Sequence, residues 1–190
     1  MTAAGVAIRA LLEMDRAVKL RSAAAFAAGY LQRARLEAVT RSATVGVRFR
    51  PAGQDWFLGA YVDANGNGIR SADVTGGIDQ AIDEEVPFSA RASSVRLARL
   101  EQVPDVNGEA GGDAVRFGTS RIASFSRDGS ASAGTLYLTD GRTQLGGSID
   151  YDATLRTAVE LAVPRLADFC MIDVVAGDAG HDIARGVDPE

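Results

Sequence analysis

Along residues 4–42 the hydrophobic positions recur every three or four places, the spacing of one helix face. Ala23, Phe26, Ala27, Tyr30, Leu31, Ala34 and Ala38 fall on one stripe, with Arg33, Arg35, Glu37 and Arg41 largely off it. No proline interrupts the run. The pattern predicts a long N-terminal helix that buries its alanine-rich side. Ser22 is a candidate internal N-cap, which would split the run into two helices near Leu20. Gly29 weakens a helix by about 1 kcal/mol relative to alanine, and its small size points to a close approach between helix and sheet.

The period then drops to two. Val45, Val47 and Phe49 point one way, and Gly46, Arg48 and Arg50 the other. Residues 51–55 have turn chemistry, and residues 56–62 are apolar on both faces, as in a central strand. The two strands read as a hairpin with a five-residue loop at 51–55. Residues 63–93 lack a clear period and form a long excursion with room for a short helix. Further strands are predicted at 95–100, 114–117, 122–126 and 134–139, with a loop at 104–112 and a turn at 127–130. Leu136 and Leu138 share one face. Loop is predicted at Asp140-Gly141-Arg142 and again at Gly146-Gly147-Ser148. A helix over 151–166 follows, with Pro164 in its last turn. A buried strand at 169–175, a turn at 177–180 and a return strand at 181–187 close the chain.

The fold class is α+β: a long N-terminal helix packed on antiparallel β-sheet, with an added C-terminal helix and strand pair. The predicted divisions are a helical segment, 1–42, a β-rich head, 43–140, and a C-terminal unit, 148–190.

Charge sharpens this picture. Residues 1–50 hold nine Lys/Arg against three Asp/Glu, and the remainder eleven against twenty-two. A basic helix thus precedes an acidic body, an arrangement suited to meeting an acidic surface, a membrane or another subunit, or simply to solvating the helix. The acidic total argues against a nucleic-acid partner. No apolar run approaches the about 18 residues that span a bilayer. Arg9, Glu13, Asp15, Arg16, Lys19 and Arg21 occupy what would be the apolar centre of a secretory signal.

Candidate chemistry is sparse. Asp63-x-Asn65-x-Asn67-Gly68 matches the first half of a calcium loop, in which oxygen ligands alternate with spacers. The second half departs from it: Val74 stands where the bidentate glutamate belongs, and Asp73 comes one place early. A strand, not a helix, precedes the loop. Asp63, Asn65, Asn67 and Asp73 are therefore a weak calcium set, against the plainer reading of a glycine-rich hairpin tip. His181 is the only histidine; Asp182 beside it would point to the opposite face of a strand. Cys170, the only cysteine, sits in an apolar segment and reads as a core residue. Asp83-Glu84-Glu85 reads as a solvated loop. No nucleotide-binding or nucleophile motif is present, so neither catalytic residues nor a cofactor are expected.

Several ordered segments resemble the globular part of minor pseudopilins, the GspH/FimT-type proteins of type II secretion and type IV pilus systems. They are A-R-L-E-A-V-T-R-S (34–42), V-G-V-R-F (45–49), Y-V-D-A-N-G-N-G-I-R (61–70), V-R-F-G-T-S-R-I-A-S-F-S-R-D-G (115–129) and S-A-G-T-L-Y-L (132–138). The similarity covers about residues 22–139. It implies a helix packed on antiparallel sheets and a non-enzymatic structural subunit. Such a subunit joins other pseudopilins through its N-terminal helix, and its head contacts neighbours or cargo. It also implies a periplasmic, inner-membrane-associated location. This sequence departs from the family's prepilin signal, since Gly5-Val6-Ala7-Ile8-Arg9 opens no apolar helix. The family's G-R-V/T motif after the last matching strand corresponds to Gly141-Arg142-Thr143. Residues 148–190 instead resemble the opening helix and strand of GAF domains in bacterial signalling proteins. That resemblance implies a cytoplasmic signalling fragment as the alternative; a weak calcium-binding module is the third reading.

Overall fold

The computed structural model describes residues 3–104, 112–149 and 171–176. Helix α1 (Ala3–Arg41) opens the fold as one unbroken element. The expected break near Leu20 does not occur. Ser22 stays exposed, while Leu20, Ala23 and Ala24 on either side of it are buried and carry the backbone through. The helix stops where Ser42 turns left-handed at φ 52°. There the amide of Ala43 donates to the Ala38 carbonyl (3.1 Å) and that of Ser42 to the Val39 carbonyl (3.2 Å), which closes the last turn.

Two antiparallel sheets follow. Strands β1 (Val45–Ala52) and β2 (Asp55–Val62) pair along their full length. The pairing includes Pro51 with Trp56 and Ala52 with Asp55, so the connection is two residues, not five. Gly53, at φ 63°, makes that tight turn. The expected excursion carries a short helix, α2 (Ser71–Thr75). It returns through β3 (Gln80–Ala81) and β4 (Val86–Pro87), which share one edge of β2. A 3-10 turn at Phe88–Ala90 completes it. β2 is thus central, as its apolar pattern predicts.

β5 (Arg96–Leu97) and β6 (Val115–Arg116) are shorter than expected. β7 (Ile122–Phe125) returns to the first sheet and pairs with β1. β8 (Gly134–Thr139) and β9 (Thr143–Ile149) build the second sheet, with β5 and β6 on the far side of β8. β10 (Met171–Ala176) pairs antiparallel with the outer edge of β9. The predicted helix at 151–166, the strand at 181–187, Cys170 and His181 lie outside the described residues.

The loop expected at 146–148 is strand. Asp140–Arg142 alone makes the turn, where the Asp140 carboxylate accepts the amides of Arg142 (2.8 Å) and Thr143 (2.7 Å). Gly146 stands opposite Tyr137, and a Cβ on it would lie 3.1 Å from the Tyr137 ring. Gly146 therefore serves close packing of a strand and not a turn.

One core lies between α1 and the two sheets. Ala27, Leu31, Ala34 and Ala38 of the helix meet Val45, Val47 and Phe49 of β1, Phe125 of β7 and Leu138 and Leu145 of the second sheet. The predicted helix face is thus the buried one. Gly29 does not lie against a sheet: nothing comes within 4 Å of where its Cβ would be, and it faces outward.

Candidate functional site

Burial fixes which side of α1 is spoken for. Leu20, Ala23, Ala27, Leu31, Ala34 and Ala38 are buried on the head. At 3.6 residues per turn, the opposite side carries Leu11, Met14, Val18, Ala25, Gly29, Gln32, Leu36 and Val39. All of these are exposed. Met14 keeps 69% of its surface and Leu36 keeps 65%. This outward side thus carries two groups of exposed aliphatic side chains, Leu11, Met14 and Val18 and then Leu36 and Val39, about 27 Å apart along the helix. Ala25, Gly29 and Gln32 lie between them.

Charged side chains flank this side. Lys19 pairs with Asp15 and Arg41 with Glu37 along the helix. Arg33 reaches out to Asp83 on the excursion. Arg35 donates from Nε to the Gly129 carbonyl (2.6 Å), which ties α1 to the turn after β7.

The excursion covers the outer face of the first sheet. Ile69 packs with Tyr61 and Ile122 in a small second cluster, with Val74 against it. Two glycines make room. A Cβ on Gly46 would lie 2.8 Å from Ile69, and one on Gly59 would lie 2.9 Å from both Glu85 and Tyr61. Farther along, Glu85 is clasped by the Arg50 guanidinium (Nε to Oε2, 3.0 Å) and by the Tyr61 hydroxyl (3.0 Å). Arg50 also lies over the Phe57 ring at 4.8 Å. The acidic run 83–85 is thus divided among partners: Asp83 to the helix, Glu85 to the sheet, Glu84 to solvent.

The hydrogen bond from Arg50, aided by that from Tyr61, holds the Glu85 carboxyl below its ordinary range. Burial, and then the bond to Glu85, raise the Tyr61 phenol. A lowered carboxyl pKa means that the clasp stabilises fully above the unfolded value near 4.5 and is lost as pH falls through the folded value. Acid titration followed by hydrogen exchange is expected to free the amides of 80–87 as pH falls below that unfolded value. In Glu85→Gln the same amides should exchange at a rate free of that acid step.

The loop that begins at Asp63 is self-contained. Its carboxylate accepts the Gly66 amide on Oδ1 and the Gly68 amide on Oδ2, both at 2.8 Å. Asn65 Oδ1 accepts the Asn67 amide at 3.2 Å. Asp73 lies apart, on the first turn of α2. Its Oδ2 is buried and makes no hydrogen bond. Asp79, which no motif marks, is 2% exposed and accepts the amides of Ala64 (3.3 Å) and Arg70 (3.4 Å). Among the described residues no three Asp, Glu, His or Cys side chains come together as metal ligands. The loop's oxygens organise its own backbone.

The described chain is an α+β fold: one long helix packed by one side on two antiparallel sheets. The family model described as Type II transport protein GspH matches residues 23–157, and the chain belongs to that family. The match runs through β9. The family comprises pseudopilins of type II secretion, which are not enzymes. No curated protein and no solved structure matches the chain.

Proposed function

We propose that the protein is a structural subunit of a type II secretion pseudopilus and that it acts by packing, not by chemistry. The observation that carries this reading is the pair of exposed aliphatic groups on α1, opposite the face that the head buries. In this reading Leu11, Met14, Val18, Leu36 and Val39 lie against the helices of neighbouring pseudopilins. The head then faces outward, and the surface at 63–93 meets neighbours or cargo. The location that goes with this role is the periplasmic side of the inner membrane. Among the described residues no helix is long and apolar enough to cross a membrane. The basic helix and acidic body favour contacts between subunits that weaken with salt.

The test separates the two helix faces. Leu36→Glu and Val18→Glu change exposed positions and are expected to shift the unfolding free energy by no more than about 0.5 kcal/mol. Both are expected to abolish co-purification and cysteine cross-linking with the other pseudopilins of the same secretion system. Unchanged cross-linking in both variants would remove these groups from the interface.

A further inference from the structure

Asn65-Gly66-Asn67-Gly68 sets two Asn-Gly pairs in succession at an exposed tip. Asparagine before glycine is prone to close a succinimide, because glycine puts no side chain in the path of its own amide. The Gly66 nitrogen loses its proton and bonds to Cγ of Asn65. The bond from Cγ to the side-chain nitrogen breaks, and ammonia leaves. Water then opens the ring at either carbonyl. One opening gives aspartate; the other gives isoaspartate, with the backbone one methylene longer. Gly68 and Asn67 are set up for the same reaction.

Both attacking nitrogens are held by one carboxylate. The Gly66 amide donates to Oδ1 of Asp63 and the Gly68 amide to Oδ2, each at 2.8 Å. The amide attacks only after it loses its proton. A carboxylate at hydrogen-bond distance keeps that proton on nitrogen, and its own negative charge opposes a nitrogen anion. Asp63 is itself fixed, since its amide donates to the Thr44 carbonyl at 2.9 Å. We propose that Asn65 and Asn67 form a tandem deamidation site that Asp63 holds in check in the folded protein. Failure of the guard has a structural price close by. Isoaspartate at either position lengthens the tip just before Ile69, which is buried on the outer face of the first sheet against the space left by Gly46.

The experiment ages the full chain in mildly alkaline buffer and maps deamidation and isoaspartate by peptide mass analysis. Wild type, Asp63→Ala and Asp63→Asn are compared folded, and wild type also in urea. Asn107-Gly108 in the same chain is the internal reference for sample handling. Deamidation at both 65 and 67 is expected to rise about tenfold in Asp63→Ala and in urea, the lower end of what losing a charge-assisted hydrogen bond implies. Asp63→Asn keeps a neutral acceptor of the same shape and stands in if Asp63→Ala fails to fold; it too should deamidate faster than wild type. Equal rates in folded and urea-treated wild type would overturn the proposal. So would slower deamidation in Asp63→Asn, which would make the carboxylate a base that promotes attack.

Discussion

Gly134→Ala is expected to destabilise the head by about 3 kcal/mol or more, an overpacking cost at the upper end for a single methyl. A Cβ at this position would lie 2.0 Å from Cδ1 and 2.3 Å from Cε1 of Phe117, and 2.7 Å from the Arg116 carbonyl oxygen. The ring has nowhere to go. Phe117 is buried and stacked on Phe49, with centroids 5.7 Å apart and planes 5° from parallel. Phe49 belongs to β1, in the layer that meets α1. Moving Phe117 therefore disturbs both sheets and the helix seat together. Urea denaturation gives the number. The double variant Gly134→Ala/Phe117→Ala should be more stable than the sum of the single changes predicts, because the second removes the clash created by the first. A single variant within about 0.5 kcal/mol of wild type would mean that the close approach is absent.

Phe88→Ala is expected to lose about 3–5 kcal/mol, the range for removing a buried aromatic ring. Phe88 is 1% exposed, and its ring centre lies 5.9 Å from that of Phe26 on α1. It plugs the returning excursion into the core. Its neighbour Ser89 donates from both its amide (3.2 Å) and its hydroxyl (2.5 Å) to the Asp55 carboxylate. Loss of the ring empties the socket and leaves that polar clasp and the pairing of β4 with β2 to hold the segment. The change should therefore appear twice: as a lower urea midpoint, and as faster hydrogen exchange over 80–92 than over β8 in mild denaturant. Phe88→Leu should recover most of the stability. A loss below about 1 kcal/mol in Phe88→Ala would show that ring burial is not the anchor.

The parts legible in the sequence are those where one period ruled. The inner face of α1 was readable because apolar side chains recur at helical spacing from Ala23 to Ala38. β1 and β2 were readable from alternation and from an apolar run on both faces. The exposed aliphatic side chains on the outer side of α1 were not, because they stand in two groups with Ala25 and Gly29 between them and so show no sustained helical period. Gln32 and the arginines at 21 and 33 dilute the pattern further. Gly146 misled for a physical reason: glycine signals a turn where the backbone needs its freedom, but here it answers to the bulk of Tyr137 across the ladder. Gly29 is the opposite case: its surroundings are open, so its small size serves no close approach to a sheet. The buried Asp79 had no local signal, since its partners lie nine and fifteen residues back along the excursion. The Asp63 loop was legible as a turn, but the sharing of its carboxylate between two amides was visible only in three dimensions.

The continuity of α1 through Ser22 has a mechanical consequence. From Leu11 onward, Leu20 is the first side chain of the helix buried on the head, so the backbone from Leu11 to that point forms an arm of about 14 Å. The grip from Leu20 to Ala38 is about twice as long. A sideways load on the arm is therefore met by a smaller reaction within the core, and the helix between them is unbroken. Along the axis the arm is a strut. A step made at its far end reaches the two sheets undiminished, and the anchor of Arg35 on the Gly129 carbonyl carries it on to the turn beyond β7.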